Sequence, residues 1–364
     1  MTGHPLPTQP VALESLLPQR AADPDRAANP GLRTDVPGVA IAGAASPVLT
    51  IAIVNWNSGT MLRACLKSVA QSAEDLQLRV LVIDNKSTDG SAELVKREFP
   101  EVRLIPTGRN LGFGKGNNLA REHAPSGYVL FLNPDTELQP RALERMTDFL
   151  AAHSDVGAIG CKMVFPDGEV ADQNLQWFPN PLTEFLKHTI LTYGIIRRLE
   201  GVLPWNDPLK SGYVQKLYGG CLMVRTSVLD KVGWFDERFF MYAEDVDLSR
   251  RIREAGWKLY YLSDAEIMHV AGGTTRNASG DFSILMGCES MEKLIEKYQG
   301  VPAAIFYRIG LFGASLLRLC FLSVLLILSP ALRAGRRSLC REAVRNCMLR
   351  VKWVLGLRPV FIPE

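Results

Sequence analysis

The sequence has no CxxC pair, and its seven cysteines in 364 residues are an odd number. That pattern argues against a disulfide framework and a structural zinc site, and it fits a reduced, cytoplasmic setting. Charge of one sign is lacking too: 41 Lys and Arg face 38 Asp and Glu, a net charge of +3. So even a balance says little about partners; no nucleic-acid partner is expected, because the one basic stretch follows an apolar segment. No internal repeat is visible. The first 47 residues hold eight prolines and no apolar run of useful length. They predict a disordered leader without a signal peptide. Finally, no glycine-rich phosphate loop follows the first β-branched run. Asn55-Trp56-Asn57 stands there instead, which argues against a nucleotidyltransferase and against the dinucleotide fingerprint.

What is present is a regular alternation. Val48 to Val54, Leu78 to Ile83, Val102 to Pro106 and Tyr128 to Leu132 read as strands, the first apolar on both faces. Met61 to Ala70, Ala92 to Glu98, about Asn118 to His123, and Pro140 to Ala152 read as helices. Such spacing predicts an α/β fold with an open, mostly parallel sheet and flanking helices. Ligands of these sheets bind beyond the carboxyl ends of the strands. Asn55, Asp84, Asn110 and Asp135 stand at those ends, although Asn and Asp are also common turn formers. Further on, Val156 to Val164, Leu217 to Val224 and Lys258 to Leu262 read as strands, and Phe165 to Lys216 as irregular.

Three segments carry candidate chemistry. In the first, Asp236, Glu237, Glu244, Asp245 and Asp247 lie among Trp234, Phe235, Phe239, Phe240 and Tyr242. Carboxylates in a semi-apolar wall have shifted pKa values and serve as bases. The same residues also read as an acidic helix N-terminus. In the second, Asp135 follows an apolar strand and Pro134, with Asn133 and Glu137 beside it. A rigid carboxylate there suits Mg²⁺ or Mn²⁺, and it also suits a plain Asn-Pro-Asp turn. His269, after another strand-like stretch, is either a further metal ligand, which would favour Mn²⁺, or a hydrogen-bonded core residue. In the third, Gly112, Gly114 and Gly116 offer close backbone approach to a sugar nucleotide, and Lys115 a phosphate contact.

The C-terminal part is of another kind. Ile309 to Ser329 is a 21-residue apolar run interrupted by Arg318. That is long enough to cross ~30 Å of hydrocarbon. From Ala331 onward eight Lys or Arg face Glu342 and Glu364. Anionic lipid headgroups suit this tail better than nucleic acid does. The run either spans the membrane, lies in its interface or packs on the rest of the chain. The expected division is a leader (1–47), a catalytic domain (48–300) and a membrane-associating apolar helix with a basic tail (301–364).

Five motifs converge on a known family. They are Val54-Asn55-Trp56-Asn57-Ser58, the stretch Val82 to Ser91, Asn110-Leu111-Gly112-Phe113, Leu132-Asn133-Pro134-Asp135-Thr136, and Gly233 to Phe240 with Glu244-Asp245-Val246-Asp247-Leu248. In this order they resemble family 2 glycosyltransferases, and most closely the bacterial rhamnosyltransferase-like branch, over Val48 to Thr275. The resemblance implies a GT-A fold, a nucleotide-sugar donor and inversion at the anomeric carbon. It further implies that Asp84 contacts the base or ribose, with Asn55 and Asn110 lining the same pocket. Asp135 matches the last acid of a metal-binding Asp-x-Asp motif, whose first position is Asn133 here. Asp245 matches the catalytic base, with Glu244 beside it, and His269 a late metal ligand. Asn85, Gly112 and Lys115 join the donor set. Gly219, Gly220 and Trp234 are expected on the acceptor side, which Phe165 to Lys216 would shape with Trp177 and Trp205.

The expected activity is transfer of a sugar, most simply rhamnose from dTDP-rhamnose, to a lipid-linked or polysaccharide acceptor of the cell envelope. It would take place at the cytoplasmic face of the inner membrane, with peripheral or C-terminal attachment. A UDP-sugar transferase, for example of galactofuranose, and a non-catalytic sugar-nucleotide-binding protein are the rivals. A binding module has no need of Glu244-Asp245. Oligomeric state is left open.

Overall fold

A computed structural model describes residues 48–72, 76–125, 127–171, 177–189, 207–270, 281–328 and 334–360. The expected leader, Trp205 and the last residues of the basic tail lie outside them. One nine-stranded sheet organises the described residues, in the order β3-β2-β1-β4-β8-β6-β9-β5, with β7 also on β9. The strands are β1 (Leu49–Asn55), β2 (Leu78–Asp84), β3 (Arg103–Pro106), β4 (Tyr128–Leu132), β5 (Thr136–Leu138), β6 (Val156–Val164), β7 (Gly212–Val214), β8 (Cys221–Arg225) and β9 (Lys258–His269). The sheet is parallel through β3, β2, β1 and β4, where the β-α alternation is regular. Beyond β4 it is mixed: β8 runs antiparallel to β4 and β6, and β9 parallel to β6.

β1 shows why a continuous apolar run becomes a central strand. Leu49, Ile51 and Ile53 point into one core layer, against Leu62, Cys65 and Leu66 of α1 (Gly59–Gln71) and Leu143 and Met146 of α4 (Ala142–Ala152). Ala52 and Val54 point into the opposite layer, against Val228 of α6 (Thr226–Val232) and Leu248 and Ile252 of α7 (Glu244–Glu254). Helices cover both faces, so both sets of alternating side chains are buried. Each fully buried Leu or Ile contributes about 1.5–3 kcal/mol.

Several boundaries differ from the sequence reading. The glycine stretch after β3 is not an open loop: α3 (Phe113–Asn118) runs through it and continues as a 3₁₀ turn to His123. β8 begins at Cys221, leaving Gly219 and Gly220 outside the strand. β9 extends to His269, because its last residues pair with the three-residue β5, too short to stand out in the sequence. The stretch read as irregular contains β7 and α5 (Pro181–His188). The latter starts at a capping box in which Asn180 accepts the Thr183 amide.

The two C-terminal helices share an apolar cluster. After α2 (Ser91–Glu98) and the helices above, α8 (Phe282–Leu328) runs in two arms broken at Gly300, whose φ is +83°. Both arms pack with α9 (Ala334–Val354): Leu285, Cys288, Ile295, Tyr307, Leu311, Leu349 and Trp353 share one apolar cluster. The expected boundary at residue 300 thus falls on the helix break, while packing continues across it.

Candidate active site

Topology gathers the polar residues at one rim. β1, β2, β3 and β4 end there together because they are parallel. β8 is antiparallel to β4, with Cys221 opposite Leu132, so Gly219 and Gly220 stand just beyond the carboxyl end of β4. β9 runs in the same direction as β4, so His269 reaches the same rim.

On the donor side Asn55 is opposite Asp84 in the β1–β2 register. Its Nδ2 donates to Asp84 Oδ1 and Ser91 Oγ, each at 2.8 Å, with Ser87 Oγ at 3.0 Å. Asp84 Oδ2 accepts the Ser87 amide at 3.2 Å. Asn85 donates to the Gly112 carbonyl at 3.1 Å and to Asn110 Oδ1 at 3.3 Å. Glycine is required at 112: its φ is +79°, and a Cβ would stand 2.2 Å from the Phe240 carbonyl oxygen. That carbonyl accepts the Phe113 amide at 2.8 Å, tying the donor loop to the acidic segment.

Asp135 and His269 meet through the short β5–β9 ladder. Thr136 is paired with His269, and the Val270 amide donates to the Asp135 carbonyl at 2.9 Å. His269 Nε2 lies 3.3 Å from Asp135 Oδ1, with the carboxylate side chain 3% and the imidazole 15% exposed. A nearly buried carboxylate beside an imidazole is a donor set that fits a divalent ion, with remaining positions left to substrate phosphate and water. Among the described residues no group of three or more His, Cys, Asp or Glu side chains could hold a metal. Asn133, the amide position of the motif, donates its backbone N–H to the Gly220 carbonyl at 3.0 Å.

Asp245 closes this arrangement. It sits in the first turn of α7, after Tyr242 and Ala243, both left-handed at φ 69° and 66°. Two consecutive non-glycine residues in that region carry strain of the kind stored at functional sites. Asp245 Oδ2 accepts the Gly219 amide at 2.9 Å, and Oδ1 the Val246 amide at 2.7 Å. Burial pushes its carboxyl above the usual range, and these amides with Lys216 hold the rise down. Burial, then the charge of Asp245, push neighbouring Glu244 much further up. Its Oε2 is buried with no hydrogen-bond partner. The pair therefore divides its roles: Asp245 ionises first, while Glu244 keeps its proton longer.

The sequence model described as Glycosyl transferase family 2 matches residues 50–232, half of this chain. The chain belongs to that family. An N-acetylglucosaminyl-diphospho-decaprenol L-rhamnosyltransferase of Mycobacterium tuberculosis is 34% identical over 240 residues, covering 61% of this chain and 76% of that protein. Rhamnosyltransferase WbbL of Escherichia coli K12 is 25% identical over 238 residues, 62% of this chain and 85% of its own. Among solved structures, a mannosyltransferase of Pyrobaculum calidifontis in complex with GDP-Man and Mn²⁺ superposes with a TM-score of 0.52 at 15% identity, over 86% of this chain and 87% of that one. This last likeness shows the GT-A fold.

Two expected site residues of the glycosyltransferase sit differently from the sequence reading. Trp234 is 6% exposed and meets Phe131 edge-on at 5.8 Å. It belongs to the core under the rim, because the turn after α6 points it inward. Lys115 is paired with Glu237 at 2.8 Å on the surface. The α3 helix, rather than a loop, sets that direction.

Lys216 and the distant partners of Asp247 escaped the sequence reading. Lys216 donates to the Trp177 carbonyl at 3.4 Å and lies within electrostatic reach of Asp245 and Glu184. Asp247, fully buried, binds Arg251 Nε at 2.8 Å, Tyr298 Oη at 2.7 Å and Lys297 Nζ. Lys297 also reaches Asp236 at 2.8 Å, and Arg251 donates to the carbonyls of Val232, Gly233 and Trp234, each at 2.8 Å. This network clamps the acidic segment onto the first arm of α8. The Asp247–Arg251 spacing of four residues was a legible signal; nothing in the sequence connects Asp247 with Lys297, fifty residues away.

Proposed function

We propose that this glycosyltransferase moves a deoxyhexose, rhamnose from dTDP-rhamnose, onto a hydroxyl of a lipid-linked envelope glycan, with inversion. The observation that supports this reading is the link between the two carboxylates: Asp245 accepts the Gly219 amide, and the carbonyl of adjacent Gly220 accepts the amide of Asn133, two residues before Asp135. The sugar and acceptor class rest on the likeness to the mycobacterial rhamnosyltransferase and to WbbL.

In this reading the nucleoside lies against Asn55, Asp84 and Asn85, and Gly112 permits close approach of the donor loop. The acceptor approaches Asp245 on the side of Gly219 and Gly220. Asp245 takes the acceptor hydroxyl proton as the oxygen attacks the anomeric carbon. The new glycosidic C–O bond forms on one face while the bond to the nucleoside diphosphate breaks on the other, which inverts the configuration. Asp135 and His269 would hold a Mg²⁺ or Mn²⁺ ion, whose charge offsets that developing on the diphosphate. Work on a lipid-linked acceptor also calls for attachment to the cytoplasmic face of the membrane.

The test is a thermal-shift panel of nucleotide sugars with Mn²⁺, followed by the anomeric configuration of the product. A ligand that binds the folded state alone raises Tm. dTDP-rhamnose should give the largest rise and an inverted product. A larger rise with a UDP-sugar would reassign the donor, and a retained configuration would reject the direct displacement at Asp245.

A further inference from the structure

The second arm of α8 has two faces of different fate. Ala304, Tyr307, Leu311, Ala314 and Leu322 recur at helical spacing and are each 8% exposed or less. They pack on α9, on the first arm and on α5, where a Cβ at Gly310 would stand 3.5 Å from that of Phe185. Arg318 falls on this same stripe and is half-buried, close enough to His188 of α5 and Cys347 of α9 to act on both. The opposite face carries Val301, Ile305, Ile309, Leu317, Phe321 and Val324, each at least 50% exposed. Every exposed residue from 301 to 324 is uncharged.

α9 returns along this arm as the other leg of a hairpin. Arg308, near the start of the arm, stacks over Trp353, near the end of α9, at 4.8 Å from the ring centroid. α9 is basic: Arg336, Arg337, Arg341, Arg345, Arg350 and Lys352 face a single Glu342. Charged residues are expensive inside hydrocarbon. Were the arm to cross a bilayer, α9 would either be carried in with its charges or be stripped off, exposing the buried stripe. Neither difficulty arises if the hairpin lies flat.

We infer that the α8–α9 hairpin is an in-plane docking surface for an anionic lipid bilayer, with the Ile305–Phe321 face in the interface and the α9 cations toward the headgroups. A bare apolar face on a hairpin whose other leg is basic suits the interface, where binding combines burial with attraction to anionic lipid. Leu182 and Leu186 of α5, 64% and 38% exposed, extend the apolar surface beside the arm. The inference deepens the membrane-surface part of the proposed function and fixes its geometry: attachment without crossing.

The test uses the full-length protein and vesicles of phosphatidylcholine with or without phosphatidylglycerol. Flotation should require phosphatidylglycerol and weaken with salt. The double change Ile309→Glu and Phe321→Glu should lower lipid binding at least tenfold. Its donor-induced thermal shift and its turnover of a water-soluble acceptor should match the parent, which separates failure of docking from failure of the chemistry. Two native thiols report topology: Cys320 is exposed on the apolar face and Cys340 lies in α9. On vesicles an impermeant maleimide should lose access to Cys320 and keep access to Cys340. Shielding of both would mean a spanning helix and overturn the in-plane geometry. Flotation unchanged by the double substitution, or none by the parent, would overturn the surface itself. So would a dimer in lipid-free solution that shields Cys320, since the face would then belong to a second copy.

Discussion

The donor half of the rim and the catalytic half are held by different means. Around Asn55, Asp84, Asn85 and Asn110 each side chain is bonded to a residue at most 36 positions away, on the next strand or its following turn. Around Asp135 and Asp247 the partners come from afar: His269 on the strand paired with β5, and Lys297 fifty residues beyond Asp247. The first half is a repeated unit, strand, polar end and helix, so its geometry follows from parallel pairing. The second is assembled by antiparallel strands and by a helix from outside the family-matched region.

The comparison is broken most severely at Asp245. Asp245→Asn should lower turnover about 10²–10⁴-fold, the usual contribution of a positioned general base. The donor-induced thermal shift should survive, because the donor side does not depend on it; parental turnover would pass the base role to another group. Chelation comes next: EDTA should abolish turnover and Mn²⁺ or Mg²⁺ restore it, and His269→Ala should raise the metal concentration required. Undiminished turnover in chelator would remove the metal from Asp135 and His269.

A third change separates holding from chemistry. Lys297→Ala leaves the buried carboxylate of Asp247 with Arg251 and the Tyr298 hydroxyl only, and loss of a charged partner from a buried pair costs about 3–5 kcal/mol. Urea unfolding should show that loss together with lower turnover; an unchanged midpoint would mean that the clamp is dispensable. The smallest effect is expected at Glu244. Its folded-state pKa is raised, so the folded chain keeps this proton at pH values where the unfolded chain has lost it. Its ionisation thus opposes folding, and stability is lost as pH rises above the ordinary glutamate range toward the folded value. Glu244→Gln should have a higher Tm than the parent at neutral pH and an equal one below about pH 4. Because Glu244 is still protonated when Asp245 ionises, the acid limb of kcat/KM, which follows Asp245, should stay in place. A limb that moves to lower pH would mean that Glu244 carries its charge before Asp245 does.

Much of this site was legible before any coordinates. β1, β2 and β4 were evident from uninterrupted apolar runs, and their polar terminators Asn55, Asp84 and Asp135 from the residue that ends each run. Trp234, expected on the acceptor side, has its ring in the core beside Phe131, a packing that no local pattern reveals. Lys115, expected at a phosphate, is carried by α3 rather than by a loop and is paired with Glu237. The two-faced arm of α8 was hidden for a different reason: an apolar run has the same composition whether one face or both are covered.

By itself the sequence determined the order of elements, the parallel half of the sheet and the identity of the groups at its rim, since periodicity and strand-ending residues are local properties. Only the tertiary structure decided that His269 meets Asp135, that Gly219 holds Asp245, that Lys297 locks Asp247 and that one side of α8 stays bare. Those outcomes depend on strand direction and helix packing between distant segments, which no local pattern encodes.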